Sequence, residues 1–226
     1  MASDSLKIPP WQFRGAVEYG DADIVRQGLA QNPEWSKKVW SAKSGSTALH
    51  LAAGSGCLGC VNELLSTSDA NAVDQNGATA LMVAAGNWHW DCVKTLLAST
   101  DTRIQNNAGL NALMAATMGA NVDMVRDLAP RSDLGIFSGS GETALDMALG
   151  HEHWDCADIL AAGMSLADID NALILAPESE PMPMCRARRE AEELQAAIGG
   201  EGGSENPGEP VGERDGAPVA HTTRRV

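Results

Sequence analysis

Residues 45–65 read GSTALHLAAGSGCLGCVNELL, and the pattern returns three times. It recurs from Gly77 as GATALMVAAGNWHWDCVKTLL, from Gly109 as GLNALMAATMGANVDMVRDLA and from Gly141 as GETALDMALGHEHWDCADILA. Each step is 32 residues with nothing inserted, so one structural unit is being repeated in strict register. The leading glycine falls where a tight turn needs positive φ. Thr47, Thr79, Asn111 and Thr143 follow, each with a side-chain oxygen able to cap a helix start. Leu49, Leu81, Leu113 and Leu145 open an apolar stripe, and Ala52, Ala84, Ala116 and Ala148 continue it three residues on. After a second turn, Val61/Leu64, Val93/Leu96, Val125/Leu128 and Ala157/Leu160 mark the buried face of a second helix. Helices this short are marginal alone in water. Small side chains on one face allow a neighbouring copy to pack closely, so stacking is the expected source of stability.

GSTALHLAA resembles the ankyrin-repeat pattern G-x-T-P-L-H-x-A-A, and CVNELL and CVKTLL resemble that family's second helix. The resemblance implies an all-α repeat solenoid of helix-turn-helix units joined by hairpin-like loops. It covers about residues 8–162. A degenerate first unit, FRGAVEYGDADIVRQGL, puts Phe13, Ala16, Val25 and Leu29 in the stripe positions. The expected repeats are 8–40, 42–73, 74–105, 106–137 and 138–163 within a domain spanning 1–163. The longer link after the first unit contains Pro33 and Trp35. Ala48, Ala80, Ala112 and Ala144 replace the family's proline, a change a helix start tolerates. His50 keeps the family histidine, whereas Met82, Met114 and Asp146 do not. Trp88 stands where the family has glycine between helices, and Pro130 is expected to end its helix early.

Beyond the repeats, Leu166, Ile169 and Leu173 predict a capping helix over 164–176. Residues 177–226 are rich in Pro, Gly and Glu and are expected to be a flexible tail. Arg186–Glu190, Arg188–Glu192 and Arg189–Glu193 pairs would support a solvated helix at 186–198 within it.

The net charge of −14 divides as −10 over residues 1–175 and −4 over the remainder. No Lys/Arg cluster is present to release counterions from a phosphate backbone, so direct nucleic-acid binding is not expected. A protein partner with a basic patch is the natural complement. No apolar run approaches a membrane span. MASDSLKIPP lacks an apolar signal region, there are no N-glycosylation acceptors, and the five cysteines do not suggest a disulfide framework. A monomer in the cytoplasm or nucleus is expected.

The tempting metal constellation is Cys57-x-x-Cys60, His89-x-x-Cys92 and His153-x-x-Cys156. These pairs occupy the same position in different units, the last two of them two units apart. Packed helices lie about 8–10 Å apart, whereas zinc holds its ligands at about 2.0–2.3 Å. The second cysteine of each pair therefore reads as a small core residue, and the resemblance gives the histidines a turn-steadying role. His151 and His153 flanking Glu152 lack a third ligand. There is no P-loop, no G-x-G-x-x-G and no G-x-S-x-G. No catalytic residue, metal site or cofactor is expected, and the chain does not read as an enzyme.

Recognition remains. Loop tips and the outward side of the first helices would form the concave face of a solenoid. The partner-binding candidates at the tips are Gln75, Asn76, Asn106, Asn107, Leu110, Ser140 and Glu142, with Ala78 and Ser138 beside them. The turns between helices add Asn87, Trp88, Met118 and His151. Trp88, Trp90 and Trp154 are each open to two readings, as interface anchors or as rings packed over the next unit. The expected role is an adaptor that binds a protein partner. The alternative is a regulatory or inhibitory subunit that docks on an enzyme and uses the acidic tail.

Overall fold

The computed structural model describes residues 7–164, which form five stacked helix pairs. The pairs are α1 (Pro10–Tyr19) with α2 (Ala22–Gln31), α3 (Ala48–Ser55) with α4 (Leu58–Leu65), α5 (Ala80–Gly86) with α6 (Trp90–Leu97), α7 (Ala112–Met118) with α8 (Val122–Leu128), and α9 (Ala144–Gly150) with α10 (Trp154–Gly163). First helices pack on first helices, α1 on α3, α3 on α5, α5 on α7 and α7 on α9. Second helices pack likewise, α2 on α4, α4 on α6, α6 on α8 and α8 on α10. The predicted capping helix, the tail and the helix at 186–198 lie outside the described residues, apart from Met164.

The repeated stripe is the core. Leu49, Leu81, Leu113 and Leu145 are buried, as are Ala52, Ala84, Ala116 and Ala148. Ala53, Ala85, Thr117 and Leu149 are buried too, which widens the apolar face by one position beyond the predicted stripe. Phe13, Ala16, Val25 and Leu29 fill the same places in the first pair. Thr79, Asn111 and Thr143 cap their helices by accepting the amide N–H three residues on. The Thr47 hydroxyl instead meets Nδ1 of His50 at 2.8 Å. Pro130 does end α8, which tightens into a 3₁₀ turn at Ala129–Arg131.

Extended backbone among the described residues is confined to the loops. β1 (Val39–Ser41) pairs antiparallel with β2 (Ser46–Thr47), and Val73 bridges Thr79 in the next loop. The link after α2 carries an aromatic cluster. Phe13 lies 4.9 Å from Trp35 and 5.0 Å from Trp40 between ring centroids. The indole N–H of Trp40 donates to the Trp35 carbonyl at 2.8 Å. Phe13 passes so close to Gly28 that a Cβ there would collide with its ring. A glycine inside α2 is thus the result of close packing rather than of backbone conformation.

Candidate functional site

Two rows of side chains run across the stack, at opposite ends of the first helices. The loop tips precede those helices and the inter-helix turns follow them. Seven to eight helical residues separate the rows by about 11 Å.

The tip row is built from backbone. The amide of Gln75 donates to the Ser44 carbonyl at 2.9 Å, that of Asn107 to Asn76 at 2.8 Å and that of Gly139 to Ala108 at 2.9 Å. Each tip is therefore pinned to the preceding one at the same repeat position. Gly45, Gly77 and Gly109 have φ of +70°, +74° and +74°, and a Cβ on any of them would press into the following tip. The glycine is required twice, by its own φ and by its neighbour.

Within each tip, one acceptor closes the turn. Asp74 takes the amides of Asn76 and Ala78 at 2.8 and 2.9 Å. Asn106 takes those of Ala108 and Leu110, both at 2.9 Å. The Ser138 hydroxyl accepts from the Glu142 amide at 3.1 Å. Sequence reading passed over Asp74, though it recurs 32 residues before Asn106 at an equivalent place. Asn106 is half-buried with its carboxamide oxygen so employed, and Leu110 is half-buried against the core.

The exposed tip candidates are partly engaged across the row. Gln75 donates through Nε2 to the Ala42 carbonyl at 3.1 Å, and Asn107 through Nδ2 to the Gln75 carbonyl at 3.0 Å. Ser140 donates to Glu142 at 2.6 Å. Asn76 is exposed with its amide held by Asp74. Exposed Val73 and Phe137 flank these tips and were not singled out from sequence.

Among the candidate residues, the exposed large apolar side chains lie in the turn row. Trp88 is 63% exposed and Met118 48%. Trp88, Ala120 and Glu152 hold φ of +65°, +53° and +58° in one repeat position, where the second repeat has Gly56 at +73°. The Trp88 ring crosses to the next turn, since a Cβ on Gly119 would lie 3.0 Å from its Nε1. Trp88 is thus packed along one edge and open on the other. Asn87 donates back to the Val83 carbonyl at 2.8 Å. His151 is exposed and stacks on His153 at 5.6 Å between centroids.

His89 and His153, with Trp90 and Trp154, bond or pack within the chain, Trp90 while 41% exposed. His89 Nε2 reaches the Gly54 carbonyl at 3.0 Å and His153 Nδ1 the Thr117 carbonyl at 2.8 Å, each in the preceding repeat. Trp90 donates to Asp127 at 2.7 Å with the Lys94 ammonium 3.8 Å from its ring centre. Trp154 is half-buried against the core. Cys92 and Cys156 are buried, and burial pushes their thiols up, that of Cys92 to about 11. Among the described residues no group of three or more His, Cys, Asp or Glu side chains is placed to hold a metal ion. No helix there is long and apolar enough to cross a membrane.

No curated protein matches the chain at a significant level. The family profile described as ankyrin repeats (3 copies) matches residues 13–107 and again 89–172. Its two matches span the described helix pairs from α1 onward, and the chain belongs to the ankyrin-repeat family.

Proposed function

We propose that the chain is a non-enzymatic adaptor whose stack binds a protein partner across the turn row and the loop tips. Ankyrin repeats typically serve protein–protein interaction, which supports the general reading. The observation that carries the particular one is Trp88. A large apolar ring is held 63% exposed on a left-handed backbone, with exposed Met118 in the next turn. Nothing in helix–turn geometry favours tryptophan at such φ, where glycine is the residue of least cost. Its ring is already oriented by Gly119, so little side-chain entropy is lost on binding. Tryptophan in that setting is a suitable interface anchor.

The tips supply the polar rim. Asn76, Asn107 and Glu142 are exposed, and the cross-tip amide bonds hold them in fixed register. The charge of −14 favours a partner with a basic patch around an apolar pocket for the indole. The regulatory alternative depends on the tail, outside the described residues, and no structural observation favours it.

The test compares the full-length chain with Trp88→Gly/Met118→Ala in affinity capture from native lysate. A protein retained by the parent and lost by the variant supports the surface. Equal recovery of every captured protein would contradict it.

A further inference from the structure

The second repeat differs from the others where its second helix begins. The N-cap of α4 is Cys57, whereas α6, α8 and α10 have His89, Asn121 and His153 there. Three residues on stands Cys60, wholly buried. Among the described residues this is the one repeat that places two cysteines on the same turn. Cys57 Sγ accepts the amide N–H of Cys60 at 3.1 Å, which draws it back over the turn from which Cys60 projects. Cys60 Sγ contacts the Ala16 carbonyl at 3.9 Å. Burial, and then hydrogen bonding with the adjacent Cys57 sulfur, push the Cys60 thiol well up. Both sulfurs belong to one turn, tied by that amide bond, but only one is accessible. Cys57 is half-buried and faces Gly20, where even an added Cβ would stay 3.6 Å from its Sγ.

We propose that Cys57 and Cys60 form a reversible dithiol–disulfide couple that closes within the first turn of α4. The partner is a low-molecular-weight disulfide of the glutathione type. The Cys57 thiolate attacks one sulfur of that disulfide and expels one thiolate, leaving a mixed disulfide on Cys57. Cys60 attacks the Cys57 sulfur and expels the second thiolate, which takes up the Cys60 proton as it leaves. Two protein thiols are oxidised to one disulfide, and one small disulfide is reduced to two thiols. Burial suits Cys60 to the second step. It is out of reach of the external disulfide, yet its own amide already holds the sulfur it must attack. The contacts with Gly20 and Ala16 put the couple at the joint between the first and second repeats.

The test uses the full chain with Cys185→Ser, removing the one cysteine outside the described residues, and the same chain with Cys60→Ala added. Both are equilibrated with oxidised glutathione, quenched in acid and weighed by mass spectrometry. Circular dichroism confirms that both are folded. The parent should lose two hydrogens, with the bridge found in a fragment ending at Glu63 and so separated from Cys92. Reduction should restore it. The Cys60→Ala chain should instead accumulate one glutathionyl group on Cys57. A parent that accumulates the same adduct, or that keeps both thiols free to alkylation, would overturn the proposal.

Discussion

Nε2 of His50 lies 2.9 Å from the Ala78 carbonyl, so the second repeat grips the loop of the third through one side chain. A carbonyl only accepts, so Nε2 carries the proton and Nδ1 is left to accept from the Thr47 hydroxyl at 2.8 Å. The ring is thereby satisfied in its neutral form, and a second proton would meet the Thr47 hydroxyl and amide.

That arrangement sets a pH dependence. Burial holds the His50 pKa below the usual histidine value, outweighing its hydrogen bonds and the nearby Asp74 charge. The unfolded chain then binds more protons below about pH 6.5. The stability contributed by His50 is present above that value and is lost as pH falls from there toward the folded pKa. Urea titrations of the parent and His50→Gln from pH 7.5 to 5 should show the gap between them narrowing as pH falls. A constant gap would mean that His50 does not titrate differently on folding.

Gly77→Ala should destabilise the stack by about 1–3 kcal/mol. The new Cβ would have to hold φ +74° and would lie 2.7 Å from Asn107 Oδ1 and 3.0 Å from its amide nitrogen. The urea midpoint reads the loss. An unchanged midpoint would mean that the tips are not pinned to one another.

One repeat position should give opposite signs in two repeats. Ala120 is exposed at φ +53°, so Ala120→Gly should stabilise by about 1 kcal/mol. Gly56→Ala should destabilise, because φ is +73° and the added Cβ would lie 2.6 Å from His89 Nδ1. Thermal unfolding of the pair settles whether backbone conformation governs this turn.

Trp90 should matter for stability. Trp90→Phe removes the donor to Asp127 and should cost about 1 kcal/mol. Asp127→Ala should cost little more once that change is present, so a double-mutant cycle should return a coupling of about 0.5–1 kcal/mol. A coupling of zero would make Trp90 simply a surface ring.

The repeat frame was legible because glycine, capping residue, leucine and alanine recur every 32 residues, and each has a local reason to be there. The left-handed turn at Trp88 was legible from the glycine slot it occupies. The cluster of Phe13, Trp35 and Trp40 was not, because its members lie in a link that has no second copy to compare with. Nor were the bonds from Gln75 and Asn107 to neighbouring tips, since they depend on how closely two repeats approach. Asn106 shows the limit most plainly. A polar residue at a tip reads as free for a partner, but its oxygen closes its own turn.

The binding account rests on the turn row, and Trp88→Gly isolates it. Glycine removes the indole while easing the backbone at φ +65°, so the variant should fold at least as firmly as the parent. The decisive measurement is the equilibrium affinity of full-length parent and Trp88→Gly for a protein captured by the parent, with Tm determined on the same samples. The account predicts an affinity loss of about 2 kcal/mol or more with Tm unchanged or raised. Equal affinity at equal stability would contradict it and move the binding surface away from this row.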